Sequence, residues 1–447
     1  MTSGRKRHRR IGADVRVANR QEEYRFKSCP SVPISEKESS RYRQQLLAAV
    51  GKEIALLQQQ SLHAAVVANF FPEQQQQFLI RPDIEVIIGK AQRFRLQPED
   101  SIVQVFDKCG GKLLIFGGAG AGKTTLLQQL ALDLCARALE NPLAPVPVMF
   151  HLSSWRNKEI ALAAWLVTEI QSKYGIRPDV SHYWLENAQI LPLFDGLDEL
   201  EIDSQEICIQ ALARLISNPK PLQFVVCTRW SDYCNCRFKL HLHGAVLLRP
   251  LSDTQIREYL LTAKSRELWY NIEHQPQLLA VARTPLFLSM MTLAYEEILI
   301  HSWKRLTEKK DLCDYVFNAY IRRQLGREIR QKPTPDKIRY WLSWLAKRME
   351  EENRVEFSLE NIQPSWLQTR AQQRLYRIGT MLLGGFLPGL AFIRHFWLRF
   401  ILWRSGYIPW NYRRFLKLAT QRVFLQKTGE RYRFVHRLLQ SHFAQLP

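Results

Sequence analysis

This sequence is short of acidic residues: 42 Asp plus Glu face 63 Lys plus Arg over 447 residues, which leaves a formal charge of +21. Such a balance favours anionic partners, whether nucleotide phosphate, nucleic acid or the inner leaflet of a membrane, and does not choose among them. The eight cysteines lie scattered, mostly in apolar runs, so no disulfide framework is read from them. The basic N-terminus has no apolar stretch behind it, so no secretory signal is expected, and a reducing, cytoplasmic compartment is. There is no repeat of fixed period, and no Ser-His-Asp or reactive-cysteine arrangement that would name a second enzyme. The uncharged run Ile378–Ile393 falls short of the roughly 18–20 residues that cross a bilayer. Apolar residues are not lacking: at 46% they exclude a disordered chain, and the length predicts about two to four domains.

The order of segments sets the organisation. Residues 1–40 begin with Arg5, Lys6, Arg7, His8, Arg9 and Arg10 and read as a flexible basic tail, with nucleic acid or acidic lipid as its candidate partners. Residues 41–110 carry helical spacing, clearest in RYRQQLLAAVGKEIALL, and read as a helical N-terminal region. Over 111–250, the β-rich runs KLLIF, VPVMF, ILPLF, LQFVVC and VLL alternate with amphipathic stretches. That alternation predicts an α/β fold with a five-stranded parallel sheet covered on both faces. A helical subdomain is expected over 251–370, an apolar, membrane-interacting candidate over 371–409, and a winged-helix-like subdomain over 410–447. In the last, RVFLQ and YRFV flank Lys427-Thr428-Gly429-Glu430 as a hairpin between helices.

The chemistry begins after the first strand. Gly117, Gly118, Ala119, Gly120, Ala121, Gly122, Lys123, Thr124 and Thr125 satisfy G-x-x-x-x-G-K-[ST] between a strand and a helix, the context that confirms a P-loop. Glycines let backbone N–H groups wrap phosphates, the helix N-terminus adds a favourable dipole, Lys123 neutralises charge, and the Thr124 hydroxyl suits Mg²⁺. A carboxylate from a neighbouring strand end completes a metal site, and ILPLF-Asp195-Gly196-Leu197-Asp198-Glu199 supplies it: Asp195 as ligand, with Asp198 or Glu199 polarising the attacking water. LQFVVC ends in Thr228-Arg229, which makes Arg229 a candidate γ-phosphate sensor. The guanine-reading N-K-x-D is missing, since Asn157-Lys158 is followed by Glu159-Ile160, so ATP and ADP are the expected nucleotides.

With these pieces in order, the chain resembles the NACHT-type nucleoside triphosphatases of the signal-transducing STAND class, in their bacterial form. GGAGAGKTTLL, VPVMFHLSSW, ILPLFDGLDEL, VVCTRWSDY, LRPLSDTQIREYL, ARTPLFLSMMTLAY and YRFVHRLLQSHFA carry the resemblance over about 112–447. It implies a P-loop sheet of the ASCE type and a slow, Mg²⁺-dependent ATPase that is ADP-bound at rest and oligomerises on activation. It also implies that Pro285 packs near the adenine and that His436 of the winged helix touches the β-phosphate. Family members usually carry a sensor after the winged helix, whereas this sequence stops at Pro447. Bacterial relatives often place several spans before a segment similar to FILWRSGYIPWNYRRFL, and here Ile378–Ile393 stands in their place, flanked by Arg377, Arg394 and Arg399. A buried hairpin, interfacial insertion and a span are its three readings, in that order.

Other functions compete less well. A nucleic-acid- or membrane-associated adaptor using its ATPase in a transport or motor role would need LSGGQ or helicase motifs, and none follows the second carboxylate strand. A nucleic-acid module with a vestigial NTPase would not keep Gly117–Thr125, Asp195 and Asp198 intact. Cys234-x-Cys236 with His241-x-His243 is spaced too tightly to close a tetrahedral zinc cage.

Overall fold

The computed structural model describes residues 36–70 and 82–446, apart from 90–91, 98–99, 157, 159, 217–221, 241, 299–305, 307, 327–332 and 385–389. The basic tail, except for its last few residues, lies outside that set. Helices Glu36–Gln59 and Leu62–Phe70 begin the described chain, as the spacing predicts.

Two strands then replace the expected helix: β1 (Ile84–Ile88) and β2 (Gln92–Arg95) form an antiparallel hairpin. Ile84, Val86 and Ile88 repeat every second residue, the period of a strand, and Val86 is fully buried. The helical reading of 41–110 is therefore corrected for 84–95.

The five apolar runs do form strands: β3 (Lys112–Phe116), β4 (Val146–His151), β5 (Ile190–Asp195), β6 (Phe224–Thr228) and β7 (Gly244–Leu248). They pair in parallel in the order β7-β3-β6-β5-β4, and β1 adds antiparallel to β7 with β2 outside it. β6 separates the strand before the P-loop from the strand that ends in Asp195, the ASCE arrangement. Every residue of β4 and β5 is buried, which is why those strands read as continuous apolar runs.

Helix Lys123–Glu140 crosses β4, β5 and β6, and helix Glu36–Gln59 packs over it. Arg43 fixes that contact: its Nη2 donates to the carbonyls of Ala138 at 3.0 Å and Ala144 at 2.7 Å, closing the C-terminal end of the P-loop helix. Tyr174 donates to Glu53 Oε2 at 2.5 Å from another layer of the sheet's cover.

Helices from Asp253 to Glu351 build a second apolar core, and Pro276, Pro285 and Pro335 each open one of them, where a missing N–H is harmless. The C-terminal module shares that core. It comprises β8 (Glu356–Ser358), helices Arg370–Gly384, Leu390–Arg404 and Tyr412–Gln421, β9 (Leu425–Thr428), β10 (Arg431–Phe434) and helix Arg437–Gln445. The expected hairpin is present as β9 and β10, but it takes a third strand, β8, from the stretch read as helical subdomain. Among the described residues no helix is long and apolar enough to cross a membrane.

Candidate active site

The P-loop turn depends on glycine. Gly120 and Gly122 have φ of +75° and +97°, in the left-handed region. At Gly120 the helical subdomain also presses in: Leu286 N donates to Gly120 O at 3.2 Å, and a Cβ there would lie 2.8 Å from Leu286 Cβ. Pro285 is thereby held beside the loop. Lys123 Nζ donates to the carbonyls of Gly117 at 3.0 Å and Gly118 at 3.2 Å and lies 3.7 Å from Asp198 Oδ2.

Thr124 Oγ1 donates to Asp195 Oδ2 at 2.7 Å, joining the first turn of the P-loop helix to the end of β5. A hydroxyl and a buried carboxylate in contact beside the glycine loop form a hard-oxygen donor set, and these residues fit Mg²⁺. Bound there, such an ion supplies positive charge for phosphate oxygens.

Two further carboxylates differ in their surroundings. Asp198 is bracketed by cations, with Arg229 Nε at 2.8 Å from its Oδ2 and Lys123 on the same oxygen; burial raises its pKa while both cations oppose the rise. Glu199 follows a turn at Gly196 (φ +78°), and burial, with the negative charge of Asp195, pushes its carboxyl up to about 7. Arg437, from the C-terminal helix, reaches it: Nη1 donates to Glu199 O at 2.7 Å and lies 3.7 Å from Glu199 Oε2.

His436 is the N-cap of helix Arg437–Gln445, its Nδ1 accepting from Leu438 N at 3.1 Å. Burial first, then Lys123 and Arg229, lowers its pKa to about 4, so the ring is neutral and keeps its proton on Nε2. It is at once a helix cap and part of the phosphate cavity wall.

That cavity has a volume of about 1190 Å³. Gly118 to Thr125, Asp195, Asp198, Glu199, Arg229, Pro285 and His436 all line it. Among the predicted site residues only Gly117 stays outside, packed against Leu248 and Ala121 at the turn. Leu62, Val67, Ile84 and Leu96 line the same cavity with Asp83 and Gln97, none of them singled out in the sequence.

Sequence reasoning also missed a buried ionic seam between β4 and the C-terminal sheet. Arg433 Nη1 donates to His151 Nε2 at 2.7 Å, and Arg433 Nε donates to Gln426 Oε1 at 3.0 Å. His151 Nδ1 lies 3.7 Å from Asp195 Oδ2, and its Nε2 lies 3.7 Å from Glu356 Oε1. Arg431 Nη1 reaches Glu356 at 3.4 Å and Glu169 at 3.0 Å. Burial and then Arg433 lower the His151 pKa to about 4. Burial would raise the Glu356 carboxyl, but the surrounding cations, Lys173 first, hold it at about 2. The available signal was alternation: in Arg431–Phe434, Tyr432 and Phe434 pack against Phe357 and Phe443, which leaves two arginines on the opposite face.

The tight cysteine–histidine pairs do not come together: Cys234 is exposed, Cys236 is buried, and His241 lies outside the described residues.

The comparison with known families agrees with the P-loop geometry. None of the curated proteins compared matches the chain. Among solved structures, similar chains include the Aeropyrum pernix ORC1 protein in complex with DNA, at 14% identity over 74% of this chain and 86% of that one, TM-score 0.30. A Walker-type ATPase of Pyrococcus abyssi is 10% identical over 78% and 95%, TM-score 0.30. The family model for the NACHT domain matches residues 112–267, from the first residue of β3 into the helical subdomain. The chain therefore carries a NACHT domain, a P-loop nucleoside triphosphatase module.

Proposed function

We propose that this protein is an adenine-nucleotide switch that rests closed on ADP, opens on exchange for ATP, self-associates when open, and hydrolyses ATP slowly in a signalling or defence role. The observation that carries the proposal is that the C-terminal module supplies His436 and Arg437 to the same cavity wall as the P-loop. A ligand biases a conformation only through contacts that differ between states, and a donor delivered by a docked module is such a contact.

Residue roles follow from their surroundings. The Gly118–Gly122 backbone and Lys123 hold the phosphates, Thr124 and Asp195 hold Mg²⁺, and Pro285 with the neighbouring apolar wall receives the base. Glu199 is the general base, because its pKa near 7 suits proton abstraction, whereas Asp198 is committed to Lys123 and Arg229. The Nε2–H of His436 donates to the β-phosphate. The winged-helix-like subdomain of residues 410–447 closes the site, and Arg437 restrains Glu199 while it is closed.

A hydrogen bond to a charged phosphate contributes about 1.5–3 kcal/mol, which is about ten- to a hundredfold in the closed-to-open ratio. The test is the nucleotide released from denatured purified protein, with exchange rate and sedimentation alongside. Wild type should carry ADP and Lys123→Ala none. His436→Ala should exchange ADP about tenfold faster or more and shift toward oligomers. Equal ATP affinity in wild type and Lys123→Ala would overturn nucleotide binding; unchanged exchange and sedimentation in folded His436→Ala would overturn the switch.

A further inference from the structure

The second surface of interest lies away from the nucleotide cavity, on the helices Arg370–Gly384 and Leu390–Arg404. From Asn361 to Gly429 the chain has no Asp or Glu, while it carries Arg370, Arg374, Arg377, Arg394, Arg399, Arg404, Arg413, Arg414, Lys417, Arg422 and Lys427. The stretch is therefore of one sign and supplies a large share of the protein's net positive charge. Seven of these arginines, from Arg370 to Arg414, are exposed.

Apolar side chains stand in water among them. Leu375, Ile378 and Met381 are exposed on the first helix, Met381 at 78% of its surface. Phe396 and Trp403 on the second helix, with Trp410 just after it, are exposed as well. The aromatics form a connected ladder, with Phe396 at 6.3 Å and Trp403 at 4.9 Å from Trp410 between ring centroids.

The two helices are held together firmly. A Cβ on Gly379 would fall 2.0 Å from Trp397 Nε1, so the helices meet at a glycine, and Gln372 Nε2 donates to Ser405 Oγ at 2.8 Å. Beside the ladder a groove of about 530 Å³ opens between Trp403, Trp410, Tyr340 and Trp341. None of these residues lines the nucleotide cavity.

We infer that this helical pair is a peripheral docking surface for an anionic lipid bilayer. The aliphatic and aromatic side chains would enter the headgroup–acyl boundary, with the flanking arginines on acidic headgroups. An amphipathic helix, Arg370–Gly384, paired with a second helix that carries exposed tryptophan and arginine suits that boundary, where one side is apolar and the other carries negative charge. Nucleic acid fits less well: phosphate contacts would use the arginines but leave Leu375, Ile378 and Met381 in water. A protein interface also uses tryptophan, methionine and arginine, but a surface of one sign over Asn361–Gly429 matches the uniformly negative face of an acidic leaflet better than the mixed charges of a protein surface.

The test is flotation of the full chain with vesicles of phosphatidylcholine alone and of phosphatidylcholine with one part in three phosphatidylserine. Binding should appear on the anionic vesicles and weaken with salt. The double substitution Ile378→Glu, Met381→Glu should cut partitioning at least about tenfold, and so should Arg374→Gln with Arg377→Gln, both with wild-type nucleotide content. In wild type, brominated-chain anionic lipid should quench tryptophan fluorescence, a readout that needs no variant. The inference is overturned by equal binding to neutral and anionic vesicles, by absent quenching, or by loss in the arginine variant with none in the glutamate variant, the pattern of nucleic acid. It is also overturned if the glutamate variant merely dissolves a dimer of the chain that wild type forms without lipid.

Discussion

The nucleotide cavity has two walls made in different ways. One comes from eight consecutive residues, Gly118–Thr125, whose backbone turn forms wherever the strand and helix around it form. The other gathers His151 of β4 with Arg433, His436 and Arg437 of the C-terminal module, so it depends on the contact between those two parts of the chain. The first wall is a property of local backbone, and the second of an interface. In the proposed switch, binding belongs to the first and control to the second.

Removing the centre of the second wall should have the largest effect. Arg433 donates to His151 Nε2 and Gln426 Oε1, so Arg433→Ala leaves two buried acceptors without their donor, while Arg431 stays on Glu356. Docking should weaken by about 2–6 kcal/mol, about 1–3 kcal/mol for each orphaned acceptor. Hydrogen exchange is the measurement: amides of β8 and β10 should lose protection while those of helix Lys123–Glu140 keep theirs. If both regions lose protection together, the two walls are one cooperative unit and the contrast fails.

The next effect separates binding from chemistry on the first wall. Glu199→Gln should lower ATP turnover about a hundredfold or more and leave nucleotide affinity within a few-fold. With Glu199 intact, turnover should rise with pH and level off above about 7, and the Gln variant should lose that rise. Asp198→Asn should instead loosen Lys123 and Arg229 and weaken binding. A matching loss of turnover in Asp198→Asn with unchanged affinity would transfer the base to Asp198.

The two walls also differ in how far they were legible in the sequence. The P-loop, Asp195 and the five parallel strands show in contiguous residue types: a glycine loop is a backbone requirement, and a doubly covered strand is an apolar run. Pro285 and His436 came only through resemblance, since a lone proline or histidine has many ordinary uses. The β1–β2 hairpin was hidden by a helical window that ran through Ile84–Ile88, where the period is two. His151, Glu356 and Arg433 were invisible because burying three ionisable groups is favourable only when they meet, and that meeting depends on tertiary docking of residues far apart in sequence.

The seam should also give docking a pH dependence of on the order of 2–3 kcal/mol. An exposed histidine gains its proton near 6.5, whereas His151 and His436 do so at about 4. Between these values the undocked state, with His151 on β4 and His436 on the module, binds more protons, so their stabilisation is full above about 6.5 and is lost as pH falls toward 4. Glu199 acts in the opposite sense, its contribution full below about 4.5 and gone above about 7. Two histidines against one glutamate leave a net loss on acidification from about 6.5 to 4.5. Denaturant midpoints of the C-terminal module at the two ends of that range measure it, and His151→Asn should flatten the profile.

The smallest effect concerns what steadies the first wall from behind. Helix Lys123–Glu140 starts at the P-loop and ends in carbonyls that its own backbone cannot pair, and Arg43 of the N-terminal helix donates to Ala138 O and Ala144 O there. Arg43→Ala should cost about 1 kcal/mol, the scale of a side-chain bond to a helix end, seen as a small drop in melting temperature. The same N-terminal segment also touches the second wall, since Gln60 accepts from Lys427 N at 2.6 Å and its carbonyl accepts from Gln426 Nε2 at 3.2 Å. Arg43 makes no such contact with the hairpin, so Arg43→Ala should soften the end of the P-loop helix and leave ADP exchange unchanged. Faster exchange in Arg43→Ala would mean that helix Glu36–Gln59 carries strain from one wall to the other, and that the cavity is controlled from its N-terminal side as well.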